Sequence, residues 1–543
     1  MIFTECGILL KLENKPHNIL NFLDDINRLQ HRGRDSIGIS YVKQNNICTI
    51  KQFGTIDNYI EKINSQNINI SSNSFLGHVR YSTSGGKKNI NLIQPILINI
   101  NYKNINLEFN IAFNGNIPKK VWYNIYSNNK DIFSNIDIDY FNDCNINKKN
   151  DNISAKIEYD DDLGNCSKKT IDDSNISNIG KYDDINDSIM LKKYMEYHIL
   201  NKIRKEYNLI KNYYFENQYL WLNRCIDNLS KQILNEIDTS YCLIIQTLGT
   251  YWVIKDRLGN RPLFYSINRK CSELNMIKCL YVSSETCINK KLSWNTINAD
   301  EILKISTSNN SMNLEFLKKN NYPKQKFCVF EKIYFMRKDS LLTNTTKVQQ
   351  YRANLSDKFV NQLITKNSEY LLKFYNNDTI ISGIPETGNE YGHVISNLLN
   401  LPYKQVIEKN IKYRTFICGS DRERIDSCKK KYKINYDIIN GKNLILVDDS
   451  IVRGNTLKYL IENIKDNSKP KTITIFVLSP PVKYTCQYGV DIPTKEELIM
   501  NKFNNSIDDI TNYIDVDKVI YLDIENIKDN NCCDHCFSGI DIL

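Results

Sequence analysis

The sequence predicts two domains: an α+β domain built on antiparallel sheets, then an α/β domain built on a parallel sheet. Three observations carry this reading. At 543 residues the chain exceeds what one ordinary hydrophobic core accommodates. Its first half contains short β-rich runs separated by turn residues. From about Ser340 onward, buried-looking apolar runs alternate with helical patterns, as strands and crossover helices do in a parallel sheet.

In the first domain the runs Tyr241–Leu248, Thr250–Lys255 and Leu280–Ser283 read as strands. The span 118–187 interrupts them. It is dense in Asn, Asp, Lys and Ser and weakly hydrophobic, so most of it is expected to be a poorly ordered surface insertion. The polar, weakly patterned stretch between Ser306 and Lys326 holds the boundary, which gives domains of 6–310 and 311–543. In the second domain Thr379–Ile384, Asn443–Val447 and Thr472–Leu478 read as strands, and Asn389–Leu399 and Asn455–Ile464 as helices.

Composition excludes several classes. Hydrophobic residues make up 41%, enough for packed cores. The 71 basic and 62 acidic residues leave a net charge of +9 spread along the chain, a solvated surface rather than a nucleic-acid footprint. No apolar run reaches the length of a membrane span. Met1–Lys11 lacks a basic n-region, so it does not read as a signal peptide. Sixteen scattered cysteines in so long a chain point to a reducing compartment, the cytosol, where thiols are catalytic, metal-bound or buried.

The strongest local signal is Leu444-Ile-Leu-Val-Asp-Asp-Ser-Ile-Val-Arg-Gly-Asn-Thr456. An apolar strand ends in Asp448 and Asp449, and a short turn leads into a helix. Such a turn offers backbone N–H groups to a phosphate, aided by the helix N-terminus. Gly454 permits close backbone approach, and Ser450 and Thr456 add hydroxyl donors. The two acids suit ribose hydroxyls, or a Mg²⁺ that bridges a diol and pyrophosphate. The pattern resembles the phosphoribosyl pyrophosphate loop of type I phosphoribosyltransferases, with Arg453 inside it. Ile381-Ser-Gly-Ile-Pro-Glu-Thr-Gly388 is a candidate pyrophosphate loop. The basic run Lys409-Asn-Ile-Lys-Tyr-Arg-Thr-Phe416 is a candidate lid, carrying Lys409 and Arg414.

Near the N-terminus, Cys6-Gly7 is followed in order by Leu29-Gln-His-Arg-Gly-Arg-Asp-Ser-Ile-Gly-Ile39, Gly77-His-Val-Arg-Tyr-Ser-Thr83 and Phe113-Asn-Gly-Asn116. This series resembles the N-terminal-nucleophile glutamine amidotransferases. The resemblance implies an αββα sandwich, a removable leader of residues 1–5, and Cys6 as nucleophile with its own α-amino group as base. It further implies Arg80 on the glutamine carboxylate, Asn114 and the Gly115 amide as the oxyanion hole, and Asp187 on the glutamine α-amino group.

A glutaminase followed by a phosphoribosyl pyrophosphate loop is similar to the amidophosphoribosyltransferase family. Connecting segments agree: Asp256-Arg-Leu-Gly-Asn-Arg-Pro-Leu263, Ser283-Ser-Glu-Thr286, Phe330-Glu-Lys-Ile-Tyr-Phe335 and Tyr488-Gly-Val-Asp491. The family makes 5-phosphoribosylamine, glutamate and pyrophosphate from glutamine, phosphoribosyl pyrophosphate and water. Homotetramers and inhibition by purine nucleotides are implied by resemblance. One subgroup binds a [4Fe–4S] cluster, and the matching positions are Cys328, Cys486, Cys533 and Cys536. Zinc suits four thiolates as well, and Cys532 offers an alternative partner. The competing reading of the whole chain is a non-catalytic phosphoribosyl- or nucleotide-binding regulator.

Overall fold

The computed structural model describes residues 6–81, 89–133, 186–269, 277–308, 311–321, 324–343, 345–375, 378–410, 432–490, 492 and 494–542. The expected leader 1–5, most of the expected insertion and the lid beyond residue 410, Arg414 included, lie outside these residues. Two compact units divide the chain. The first runs to Lys324 and also takes Gln487–Val490; the second holds Gln325–Cys486 and the residues from 491 onward.

The first unit contains two antiparallel sheets. Strands β1 (Gly7–Asn18), β2 (Ser36–Lys43), β3 (Asn46–Phe53), β4 (Ser71–Arg80), β5 (Ile96–Tyr102), β6 (Ile105–Gly115), β7 (Tyr241–Gln246) and β8 (Thr250–Lys255) come first in the chain. Strands β9 (Phe264–Arg269), β10 (Ile277–Ser283), β11 (Asn295–Thr296), β12 (Glu301–Ser308) and β13 (Ser311–Lys318) follow. One sheet has the order β11-β9-β10-β1-β4-β2-β3, the other β13-β12-β8-β7-β6-β5.

Their facing surfaces share a core of Ile8, Leu10, Leu76, Ala112, Cys242, Ile244, Val253 and Leu280. On its other side the second sheet packs against helices Asp187–Ile210 and Phe215–Glu236 through Leu243, Ile245, Trp252, Met190 and Leu222. Helices Ile19–Asn27 and Ile56–Ser65 cover the first sheet's other face, the former against β1 and β4. Four layers result, helix–sheet–sheet–helix, the expected αββα arrangement. It explains why β7 is buried throughout and apolar up to Gln246: Tyr241, Leu243 and Ile245 face helices while Cys242 and Ile244 face the opposite sheet.

Two sequence readings change here. Ser311–Lys318, placed beyond the boundary at 310, is β13; it pairs along its length with β12, and the units divide after Lys324. The start of the expected insertion is also folded. Lys119–Asn128 is a helix whose Trp122 and Ile125, three residues apart and so on one face, are buried, with the Trp122 ring edge-on to Phe133. Its polar composition belongs to the outward face.

The second unit holds a parallel sheet in the order β15-β18-β19-β20. The unit's strands are β14 (Phe327–Cys328), β15 (Thr379–Gly383), β16 (Ile407–Lys409), β17 (Tyr432–Ile434), β18 (Asn443–Asp448), β19 (Thr472–Val477), β20 (Lys518–Tyr521) and β21 (Cys532–Cys533). Leu444, Leu446 and Ile475 share a core with Leu457, Leu460 and Ile461 of helix Asn455–Asn467. Phe476 of β19 meets Phe359 of helix Val348–Lys366 at 5.3 Å between ring centroids. With both faces covered, the central strand β18 reads as an apolar run, Leu444–Val447, without alternation. Strands β15 and β18 are parallel neighbours, Gly383 opposite Val447, so their two following loops emerge side by side. Each loop opens a 13-residue helix, Thr387–Leu399 and Asn455–Asn467.

Candidate active sites

Cys6 immediately precedes β1, and its Sγ lies 4.0 Å from the carbonyl of Tyr81, just past the end of β4. Burial pushes the thiol above its ordinary value of 9.0; Arg80 and Arg32 act in the opposite sense and Asp35 with burial. A thiol in that state needs a base to become a nucleophile at neutral pH. Arg80 is buried at the last position of β4, where the charges of Cys6 and Asp35 favour its cationic form against desolvation. Gly33 allows this approach, because a Cβ there would lie 2.6 Å from the Arg80 backbone.

Strand β6 supplies the second part of the site. Asn114 is 2% exposed, and its Nδ2 is buried with no hydrogen-bond acceptor among the described residues. An unpaired buried amide donor is costly unless something fills it, and an oxyanion would. The adjacent Gly115 has no room for a side chain: a Cβ would lie 2.7 Å from the Ser240 carbonyl. Phe113 points away into the core, stacked near Tyr241.

Residues that the sequence reading gave no role position this strand. His78 Nε2 lies 3.1 Å from the Phe113 carbonyl, and burial drives the ring's pKa down to about 3, so the neutral ring donates that bond. Gln94 Oε1 accepts from Phe113 N at 2.6 Å, while its Nε2 donates to Ser188 Oγ at 3.2 Å. Asp187 opens the helix Asp187–Ile210, capped by Asn186, and its Oδ2 accepts from Ile117 N at 2.8 Å. Burial pushes the Asp187 carboxyl up to about 7. Cys6, Arg80, Asn114, Gly115 and Asp187 are therefore joined by short links through β4, β6 and one helix N-terminus. His78 falls inside a quoted motif, so a signal existed for it; Gln94 carried none.

In the second unit Asp448 ends β18 and its Oδ1 accepts from Asp449 N at 2.9 Å. Asp449 is buried, its Oδ1 accepts from Ser450 Oγ at 2.8 Å, and burial pushes its carboxyl up to about 6, with Ser450 and Arg352 opposing. Gly454 has φ +77, which favours glycine, and precedes helix Asn455–Asn467, whose first turn contains Thr456. Gly388 is equally confined: a Cβ there would lie 2.3 Å from the Val447 carbonyl, the residue before Asp448. Two helix N-termini thus flank an acidic pair at adjoining strand ends, a setting for phosphates and a divalent cation.

The cationic candidates are arranged differently. Lys409 Nζ donates to Glu386 Oε1 at 2.8 Å, bridging the start of the candidate lid to the candidate pyrophosphate loop. Arg453 Nη2 donates to Glu497 at 2.9 Å. Both acidic partners are more than half exposed, so each pair is weak and releasable. The sequence reading missed Arg352, which is buried, donates to the carbonyls of Lys332, Tyr334 and Met336, and pairs with Glu390 at 3.0 Å.

Four thiols converge elsewhere in this unit. Cys328 on β14 stands opposite Cys533 on β21. Burial raises the pKa of Cys328, Cys533 and Cys536, and repulsion raises it further: Cys328 feels Cys533 and Cys486, and Cys536 feels all three. Phe330 stacks on Phe537 at 5.1 Å beside this group. A soft cationic centre would relieve the thiolate repulsion, so the donor set suits one. Among the described residues, no three His, Cys, Asp or Glu side chains already stand in a metal-holding arrangement. Cys532 pairs with other groups: its Sγ is 2.8 Å from Lys332 Nζ and 3.3 Å from Asp529 Oδ2.

No family model matches the sequence. The chain is similar to curated amidophosphoribosyltransferases, 32% identical to that of Homo sapiens over 310 residues, or 55% of this chain and 56% of the relative. The chain thus matches a little over half the length of the first of these relatives. The Pasteurella multocida amidophosphoribosyltransferase aligns over 526 residues at 23% identity, 96% of this chain and 87% of the relative. Among solved structures, the B. subtilis glutamine phosphoribosylpyrophosphate amidotransferase complexed with ADP and GMP superposes with TM-score 0.65 at 22% identity, covering 98% of this chain and 97% of that one. That likeness establishes the two-part fold. No helix among the described residues is long and apolar enough to cross a membrane.

Proposed function

We propose that this chain is an amidophosphoribosyltransferase, which converts glutamine, phosphoribosyl pyrophosphate and water into 5-phosphoribosylamine, glutamate and pyrophosphate. The observation that carries this reading is the presence in one chain of two sets of groups: Cys6 linked through β4 to the unpaired Asn114 amide, and the Asp448–Asp449 pair at a parallel strand end. The similarity to curated enzymes of that name supports it.

In the first unit, Cys6 attacks the glutamine carboxamide carbon once its proton is taken by its own α-amino group, which requires removal of residues 1–5. Arg80 holds the substrate carboxylate, and Asp187 its ammonium. Asn114 Nδ2 and the Gly115 N–H receive the negative charge that develops on oxygen. The thioester formed on Cys6 is then hydrolysed to glutamate. In the second unit, the loop from Ser450 to Thr456 and the first turn of its helix hold the 5-phosphate, Asp448 and Asp449 the ribose hydroxyls, and the Gly383–Gly388 loop the pyrophosphate. Lys409 and Arg414 close over the substrate. Asp448 and Asp449 would hold Mg²⁺, which supplies charge neutralisation on the pyrophosphate. Ammonia from the first reaction displaces pyrophosphate at the anomeric carbon.

Cys328, Cys486, Cys533 and Cys536 would hold a [4Fe–4S] cluster, which ties the C-terminal residues to β14. Purine nucleotides are proposed as inhibitors, since the B. subtilis relative was solved with ADP and GMP. A cytosolic homotetramer completes the proposal. The test is an assay of processed protein with glutamine, phosphoribosyl pyrophosphate and Mg²⁺. Stoichiometric glutamate and pyrophosphate are expected, and Cys6→Ala should lose glutamine use but keep ammonia-driven synthesis. Absence of glutamate formation by the unaltered protein would refute the reading.

A further inference from the structure

The first unit contains a buried ionic group next to Cys6 that the reaction scheme above does not use. Glu285 follows β10, and its side chain is fully buried. A single oxygen, Oε1, lies 2.7 Å from Arg32 Nη1 and 2.7 Å from His31 Nε2. Arg32 is 1% exposed, and its Nε donates to the main-chain carbonyl of Cys6 at 3.2 Å. The Cys287 thiol lies 4.0 Å from the other carboxylate oxygen.

The backbone around Glu285 is fixed on both sides. Ser283 Oγ donates to the Glu285 carbonyl at 2.7 Å and accepts from Glu285 N at 3.2 Å. Ser284 exchanges two bonds with Ile8: its N donates to the Ile8 carbonyl at 3.0 Å, and its Oγ accepts from Ile8 N at 3.0 Å. The segment Ser283–Thr286 therefore grips the first strand two residues after the nucleophile and, through Glu285 and Arg32, the nucleophile itself.

We propose that Glu285 is a positioning residue for Cys6, acting through Arg32: it fixes where the guanidinium sits and how much of its positive charge the thiol experiences. This rests on the reading of Cys6 as the glutaminase nucleophile. Two features distinguish this contact from a purely structural ion pair. A buried guanidinium needs a compensating anion, and Glu285 Oε1 meets it while also lying within hydrogen-bond distance of His31, which constrains the placement. The guanidinium's other end contacts the backbone of the reacting residue, where a shift of about 1 Å is enough to cost up to a hundredfold in rate. Among the described residues, the charged groups that bear on the thiol include Arg80, Arg32 and Asp35, and the groups facing Glu285 include Arg32, His31 and the Cys287 thiol.

The experiment uses Glu285→Gln in the full chain. Alkylation of Cys6 by iodoacetamide is followed against pH by mass spectrometry of the Cys6 peptide, and glutamine turnover is measured on the same sample. Removing the carboxylate charge leaves Arg32 less neutralised, so the alkylation midpoint should move to lower pH. Glutamine kcat should fall by about tenfold to a hundredfold as Cys6 loses its fixed position. A residue that only stabilised the fold would lower the melting temperature and leave the pH midpoint in place. If Glu285→Gln does not fold, Arg32→Lys keeps the charge and removes the Nε contact, and it should lower kcat with a smaller shift of the midpoint.

An unchanged midpoint together with kcat within twofold of the unaltered protein, in either folded variant, overturns the proposal. If the midpoint shifts but the unaltered protein hydrolyses no glutamine, the positioning link stands and the functional reading fails.

Discussion

His78 Nε2 and the carbonyl oxygen of Phe113 lie 3.1 Å apart, and this contact ties β4, which carries Arg80, to β6 one residue before Asn114. The ring is neutral in the fold, with a pKa near 3, whereas in the unfolded chain it protonates near 6.5. Between those values the unfolded state binds more protons, so this group's contribution to stability rises with pH, by up to about 1.4 kcal/mol per pH unit. Asp187 acts in the opposite sense. Its carboxyl keeps a proton up to about 7 in the fold but loses it near 3.8 when unfolded, so its contribution falls as pH rises through that window. Urea midpoints between about pH 4 and 6.5 should therefore rise less steeply with pH in His78→Gln than in the unaltered protein, and more steeply in Asp187→Asn. Parallel curves for all three proteins would contradict these assignments.

Asn114 provides a cleaner separation of stability from chemistry. Its buried Nδ2 has no acceptor to lose among the described residues. Asn114→Ala should lower glutamine hydrolysis by roughly 10²- to 10³-fold, the cost of one oxyanion donor. The melting temperature should change little, and steady-state kinetics with calorimetry on one preparation checks both. A variant that hydrolyses glutamine at near-normal rates would remove Asn114 from the oxyanion role.

At the second site, Gly388→Ala is the informative change. Its Cβ would collide with the Val447 carbonyl, which is main chain and cannot swing aside. We expect a loss of about 1–3 kcal/mol of stability, with a raised KM for phosphoribosyl pyrophosphate because the neighbouring Asp448 is displaced. An unaffected KM would show that this loop is not part of the sugar-phosphate site.

The thiol group makes a prediction about two adjacent residues. Cys533→Ser should abolish bound iron and acid-labile sulfide in anaerobically purified protein, whereas Cys532→Ser should keep both. Cys533 lies among the other thiols, and Cys532 pairs with Lys332 and Asp529. A colourless zinc protein, or equal loss in the two variants, would defeat the cluster assignment.

Much of the second unit was legible because its chemistry is contiguous. Asp448, Asp449, Ser450 and Gly454 lie on one strand–turn–helix segment, so the order of residues already dictates that they meet at a strand end. The strands Thr250–Lys255 and Asn443–Asp448 could be read for a similar reason: both faces are buried, and the apolar run is local. The helix Lys119–Asn128 escaped notice because two buried side chains, Trp122 and Ile125, are a small signal within a polar composition.

The sequence alone determined which residue types were present for each reaction and the order in which their motifs occur. It could not determine partners that lie far apart in the chain, since that depends on which strands pair and in what register. Glu285 reaches Arg32 across 253 positions only because β10 pairs with β1. Likewise, successive residues of a strand face opposite sides, so whether Cys532 or Cys533 joins the other thiols depended on the alignment of β21 with β14.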